Sequence, residues 1–223
     1  MKDYKIILFD LDGTIIDQGV GIVNSVLYAL EKFNIKVENK EELYKFIGPP
    51  LHKSFEEFYG FSEEQAMKAV DYYREYYRDK GIYQTEIYAG IEKTLRQLKD
   101  NNKILAISTS KPQVFTEKIL KFLNIIDCFD VIAGANLDGT RSDKAQIIEY
   151  AINQCNELKN ITFDLSQVII VGDRKHDIIG AKTIGIDSLG VLYGYGSKEE
   201  LTTASATYLV STPQNIVDVL LKS

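Results

Sequence analysis

The stretch KIILFDLDGTIID, Lys5 to Asp17, decides the fold. Its apolar run Ile6-Ile7-Leu8-Phe9 reads as a strand buried on both faces, yet it empties at once into Asp10, Leu11 and Asp12. A hydrophobic core does not hold unpaired carboxylates, so the strand must end where something meets them. Alternation along the extended chain sends Asp10 and Asp12 to one side and turns Leu11 back toward the core, while Gly13 permits a tight exit. Two carboxylates held close repel, and they call for a cation or a shared proton. Magnesium suits such a place, because it takes oxygen ligands from a few carboxylates, waters and phosphate.

A matching pair follows a second apolar run, VIIVGDRKHD, which ends in Asp173 and Asp177. A strand stopping at Gly172 delivers Asp173 to the same sheet edge, and Asp177 falls one helical turn later, so both can face one point. Further strand-like runs are Lys103–Ser108, Asp130–Gly134 and Ser188–Leu192, with Lys5–Phe9 and Gln167–Gly172 completing the set. Helical patterns alternate with them over Gly90–Asn101, Pro112–Leu123, Ser142–Cys155 and His176–Ile184. Strand alternating with helix means parallel strands and crossover connections, hence a doubly wound, Rossmann-like α/β domain. In such a sheet, ligands bind beyond the carboxyl ends of the strands, where Asp10 lies.

Residues 17–85 break the rhythm. Ile22, Val23, Val26, Leu27, Leu30 and Phe33 recur at helical spacing, and no strand is expected there. Further helices are expected at Glu41–Phe46, Leu51–Phe58 and Ser62–Asp79, the last opened by a capping box of Ser62 and Gln65. The stretch is too long for a loop, so it reads as an inserted all-helical cap, with residues 1–16 and 86–223 forming the α/β core. Gly19 and Gly21 are expected to serve as the hinge into the cap, and Gly48-Pro49-Pro50 as a rigid turn between two of its helices. The tyrosines at 72, 73, 76 and 77 read as packing residues of the last cap helix.

The composition is that of an ordinary globular chain of 223 residues with formal net charge -6. Its lysines are scattered rather than clustered, which argues against a nucleic-acid surface and favours small ligands. Cys128 and Cys155 have no metal-ligand spacing; both are expected in the core, in a reducing compartment. The opening residues are neither a signal-peptide core nor a membrane span, so a cytoplasmic protein with no membrane partner is expected. No long apolar stripe demands a partner, which fits a monomer or a weak homodimer.

Asp10-Leu11-Asp12-Gly13-Thr14 together with Gly172-Asp173-Arg174-Lys175-His176-Asp177 resembles the haloacid dehalogenase superfamily, in its phosphoglycolate phosphatase-like branch with a helical cap. The likeness runs over nearly the whole chain, and it places two further motif residues: Thr109 in AISTSKP and Lys144 in TRSDKAQII. The resemblance implies that Asp10 is the nucleophile toward phosphorus, and that Asp12 is the acid that protonates the leaving oxygen and then the base that activates water. It implies magnesium held by the Asp10 carboxylate, the Asp12 backbone carbonyl and Asp173, with Asp177 supporting directly or through water. Thr109 and Lys144 would bind the phosphoryl oxygens. Two departures stand out. Relatives often carry proline after the motif lysine, where Ala145 stands here with Arg141 nearby as a competitor, and the common Thr-Asn-Lys reads Thr109-Ser110-Lys111. Ser110 keeps a hydrogen-bonding group without the amide's reach, and Lys111 is read as a salt-bridge partner or a ligand contact.

The activity this implies is a magnesium-dependent phosphatase of a small phosphorylated metabolite: phosphoglycolate, a nucleoside 5'-monophosphate or a sugar phosphate. Within the family, an acid at position 12 favours phosphate esters over carbon–halogen or carbon–phosphorus bonds. Three alternatives stay open: a β-phosphoglucomutase-like phosphotransferase, a phosphonatase using Lys53, and a non-catalytic phosphate-binding module. His52 and Lys53 are candidate substrate contacts from the cap, as is Ser110 from the core, while His176 reads as a bystander beside the metal-site aspartates.

Overall fold

The computed structural model describes residues 2–138 and 140–221. In chain order its elements are β1 (Ile6–Phe9), β2 (Ile16–Asp17), α1 (Gly19–Lys32), α2 (Leu51–Tyr59), α3 (Glu63–Asp79) and β3 (Glu86–Ile87). They continue with α4 (Ile91–Asp100), β4 (Ile104–Pro112), α5 (Gln113–Phe122), β5 (Val131–Ala135), α6 (Lys144–Lys159) and β6 (Val168–Gly172). The last are α7 (Lys175–Ile184), β7 (Asp187–Val191), α8 (Lys198–Thr203), β8 (Tyr208–Val210) and α9 (Pro213–Leu221).

A six-stranded sheet runs in the order β5-β4-β1-β6-β7-β8, with parallel pairing between all neighbours. The chain fills one side of β1 with β4 and β5, then crosses to the other side for β6, β7 and β8. That reversal makes the end of β1 a topological switch point, where an open α/β sheet leaves a crevice. All four residues of β1 are fully buried, as an apolar run covered on both faces should be. On one face Ile6, Leu8, Ala106, Val168 and Ile170 pack with Ile147, Ile148, Ala151 and Cys155 of α6 and Ala181 of α7. Burying each such aliphatic side chain stabilises the fold by roughly 1.5–3 kcal/mol before entropy is counted.

Register carries this packing to the site. Phe9 lies opposite Ile107 of β4 and Val171 of β6, so the next residues along the three strands, Asp10, Ser108 and Gly172, reach the carboxyl edge together. The Asp10 amide donates to the Val171 carbonyl at 2.9 Å, which holds that alignment one residue past β1.

The chain divides into two compact units, Met1–Ile16 with Ile87–Ser223, and Asp17–Glu86. In the second unit α3 packs against α1 and α2. Its start is fixed as the sequence implies: Ser62 Oγ accepts from the Gln65 amide, and Gln65 Oε1 accepts from the Ser62 amide. Tyr73 and Tyr77 are buried and stacked 5.3 Å apart, while Tyr72 and Tyr76 pack by an edge on Phe33 and tilted on Tyr28.

Several expectations are refined or corrected. Gly19 and Gly21 lie in the first turn of α1. A Cβ at Gly21 would overlap the Gly81 carbonyl, and Gln18 Nε2 donates to that same carbonyl at 2.9 Å, so the glycine lets two backbones touch. The helix expected at Glu41–Phe46 is present as a 3₁₀ helix over Lys40–Phe46. Strand β4 runs on to Pro112 through an irregularity after Thr109, and α6 continues to Lys159, where Asn160 ends it in a left-handed conformation. Strands β2, β3 and β8 and helices α8 and α9 are additional to the elements read from the sequence, with Asp17 of β2 lying where no strand is expected. Cys155 is buried, but Cys128 is only half-buried.

Candidate active site

Three carboxylates meet at the carboxyl edge of the sheet. Ligand oxygens of Asp10, Asp173 and Asp177 all lie within 4.8 Å of one another, and all three residues are buried. Each is delivered by a different device. Asp10 follows β1 directly and Asp173 follows β6. Asp177 lies in the first turn of α7, where its Oδ2 accepts from the Arg174 amide at 3.1 Å, so it also closes the helix end. Gly172 makes this return possible, since a Cβ there would overlap the Asp177 carboxylate.

Lys144 supplies the positive charge. It is the first residue of α6, whose N-cap Asp143 accepts from the Ala145 amide at 2.9 Å. Its Nζ donates to Asp10 Oδ1 at 2.6 Å and to the Ser108 carbonyl at 2.7 Å, and lies 2.6 Å from Asp177 Oδ1. The competing cation is committed elsewhere: the Arg141 guanidinium bonds the Gly134 carbonyl and Asn136, and lies 3.9 Å from the Tyr150 ring centre.

Electrostatics report a cluster short of cations. Burial, then the neighbouring charges of Asp10 and Asp177, push the Asp173 carboxyl well above its ordinary range. Burial pushes Asp177 up to about 6, with Lys144 working against the shift and Asp10 adding to it. Burial alone would lower Lys144, but the Asp10 and Asp177 charges outweigh it and raise it. Among the described residues Asp173 Oδ1 is buried without a hydrogen-bond partner, an arrangement that costs free energy unless a ligand meets it. Two oxygens bound to one magnesium ion at about 2.1 Å lie at most about 4.2 Å apart, so this donor set fits a hard divalent cation after a small contraction.

Asp12 stands apart from that cluster. Its Oδ2 lies 3.0 Å from Lys111 Nζ, and its Oδ1 is buried with no partner among the described residues. Burial raises its carboxyl despite the lysine. Thr109 is buried in β4, just before its irregularity, and its hydroxyl accepts from the Lys111 amide at 3.3 Å; Ser110 beside it is half-buried. His52 and Lys53 lie in the first turn of α2, in the other compact unit, half-buried and exposed respectively. His176, in the first turn of α7, is not one of the clustered ligands.

One structural partner escaped the sequence reading. The Tyr195 amide donates to Asp173 Oδ2 at 2.8 Å, from a turn Tyr193-Gly194-Tyr195-Gly196 just after β7. Tyr193 hydroxyl donates to the Thr14 carbonyl at 2.9 Å, tying that turn to the loop after Asp12. Gly13, at φ +82°, and Gly194 meet across this contact, and a Cβ at either would overlap the Asp173 side chain. The available signal was a glycine-rich run at the carboxyl end of a strand, the edge where ligands bind.

Comparison with known proteins gives concordant matches. The family model described as haloacid dehalogenase-like hydrolase matches residues 7–191. A 5'-nucleotidase of Pseudomonas aeruginosa is 38% identical over 205 residues, covering 92% of this chain and 90% of that protein. The tyrosine-protein kinase PtkA of Mycobacterium tuberculosis is 34% identical over 204 residues, covering 91% of this chain and 67% of that protein. The crystal structure of a predicted phosphatase from Clostridium acetobutylicum superposes with a TM-score of 0.91 at 44% identity, covering 98% of each chain.

Proposed function

We propose, given that this chain belongs to the haloacid dehalogenase-like hydrolases and is a phosphatase of phosphoric monoesters, that it is magnesium-dependent and works through an aspartyl-phosphate on Asp10. The observation that carries the reading is the convergence of Asp10, Asp173 and Asp177 on one buried point, with Lys144 against two of them and Asp173 Oδ1 unmet. Asp10, Asp173 and Asp177 would hold the metal, joined by the backbone at Asp12. Bound there, magnesium neutralises charge between an anionic nucleophile and an anionic phosphate.

The chain's own residues then account for two displacements. An Asp10 oxygen forms a bond to phosphorus as the ester P–O bond breaks, and Asp12 gives its proton to the departing oxygen. Water next attacks the same phosphorus while Asp12 takes a proton from it; the bond to Asp10 breaks and inorganic phosphate leaves. Lys144 and the Thr109 hydroxyl hold phosphoryl oxygens, where negative charge spreads in the transition state. Every acidic group this sequence of steps needs is present, which weighs against a non-catalytic phosphate-binding module, and Asp12 weighs against a phosphonatase.

The substrate is a small phosphorylated metabolite. The 5'-nucleotidase name of the P. aeruginosa relative supports a nucleoside 5'-monophosphate ahead of phosphoglycolate or a sugar phosphate. The test is phosphate release from a panel of such esters with magnesium, comparing the wild type with Asp10→Asn. Release should fall by more than about 10⁴-fold in the variant, as for removal of a covalent nucleophile. Equal rates would overturn the reading, and phosphate moved to a sugar or tyrosine hydroxyl instead of water would replace hydrolysis by transfer.

A further inference from the structure

We infer that Lys111 is the positioning residue for Asp12: it ties one carboxylate oxygen so that the other is presented to the reacting oxygen. The inference rests on the acid–base role proposed for Asp12. Lys111 Nζ lies 3.0 Å from Asp12 Oδ2, and both side chains are largely buried, at 7% and 13% exposure. Oδ1 of the same carboxylate has no partner among the described residues. A buried carboxylate with one oxygen fixed and one free has little rotational choice. An acid that must hand over a proton in the transition state gains from that restriction, because the transfer needs hydrogen-bond reach at the moment the ester bond breaks.

The backbone around Lys111 is built for this placement. Regular pairing of β4 with β5 holds through Thr109 opposite Gly134 and resumes at Pro112 opposite Ala135, so Ser110 and Lys111 form a bulge in the strand. Bulges re-aim side chains near sites. The bulge closes on the Thr109 hydroxyl, which accepts from the Lys111 amide. It rests on Gly134, where a Cβ would lie 2.7 Å from the Lys111 carbonyl oxygen and 2.7 Å from the Gln113 amide nitrogen. A residue with any side chain at 134 would therefore displace the segment that carries the lysine. Thr109 and Lys111, two residues apart, thus receive separate tasks: one faces the phosphoryl group, the other orients the acid.

In the transfer step the proton on Asp12 Oδ1 passes to the ester oxygen as the P–O bond breaks, while the Lys111 ammonium keeps its protons on Nζ and stays against Asp12 Oδ2. A group that acts only through the acid matters in proportion to the need for that proton. Phenyl, p-nitrophenyl and 2,4-dinitrophenyl phosphate form a series of progressively better leaving groups, independent of the natural substrate. The experiment reads phenol release in single turnover with magnesium, which isolates the first transfer, for wild type, Lys111→Met and Gly134→Ala. Lys111→Met should lose about 30-fold against phenyl phosphate and less than about 3-fold against 2,4-dinitrophenyl phosphate, part of the range that acid catalysis spans. Gly134→Ala should show the same slope in smaller measure, with its lysine intact. An equal loss across the series, or a rise in KM with the rate at saturation unchanged, would overturn the inference by making Lys111 a phosphate contact or a structural support. Failure of the underlying reading looks different: wild type would release no phenol, or Asp10→Asn would release it undiminished.

Discussion

Lys144 Nζ lies 2.6 Å from Asp10 Oδ1, across 134 positions of sequence, and the pair is almost wholly buried. A lysine sealed against a carboxylate in the interior contributes little net stability, yet removing one partner leaves the other charge stranded, at a cost of about 3–5 kcal/mol. Lys144→Met should therefore lower kcat by about 10²–10³-fold, through a lost transition-state contact, and also lower stability in urea when metal is chelated. Steady-state kinetics with magnesium and urea unfolding with EDTA check the two halves separately. A variant that is fully active would show that Lys144 only balances the carboxylates.

Magnesium should stabilise the folded protein, because the cluster is assembled only there. At a hundred times its Kd a ligand adds about 2.7 kcal/mol, which for a chain of this size raises Tm by roughly 5–10 °C. Thermal melts with magnesium or EDTA should show the difference in wild type. In Asp173→Asn, which removes the carboxylate with the unmet oxygen, it should shrink to near zero.

The turn after β7 should matter although it contains no charged group. A Cβ at Gly194 would overlap the Gly13 carbonyl and Asp173 Cβ. Gly194→Ala should cost about 1–3 kcal/mol of stability through overpacking, and should weaken the magnesium-dependent rise in Tm by moving Asp173. Circular dichroism should keep its helical signal, which separates a shifted site from a lost fold.

Cys155 should be inert in the native state. Burial pushes its thiol up to about 12, so at pH 8 the reactive thiolate is scarce and shielded. Burial also raises Cys128, though that side chain is only half-covered. A disulfide reagent at pH 8 should label at most one thiol before denaturation and both after it; rapid native labelling at Cys155 would contradict its place on the buried face of α6.

Strands with long aliphatic runs were legible because burial on both faces writes itself as uninterrupted Ile, Leu and Val, as in β1 and β6. Asp10 and Asp173 were legible for the converse reason, since charge placed directly after such a run has no place in a core, and Asp177 by its spacing one helical turn after Asp173. β8 was not, being three residues long among small polar ones, too short for a periodic signal. The roles of Gly21 and Gly194 were hidden too. A glycine's reason is the atom that approaches it, and Gly81 and Asp173 are remote in sequence from them. Lys111 could be read as a salt-bridge partner, but its choice of Asp12 depends on a strand irregularity that pattern alone does not reveal.

The central claim is that phosphorus passes through Asp10, and the direct measurement is chemical trapping of that residue. Asp12→Asn keeps the nucleophile and removes the base for the second step, so with p-nitrophenyl phosphate and magnesium it should release about one equivalent of p-nitrophenol and stall. Reduction of the stalled protein with borohydride converts an aspartyl-phosphate to homoserine, which peptide mass spectrometry locates. Homoserine at position 10, absent without substrate, is the expected result. Homoserine at another aspartate, or an unmodified Asp10 in protein that has released its equivalent, would contradict it.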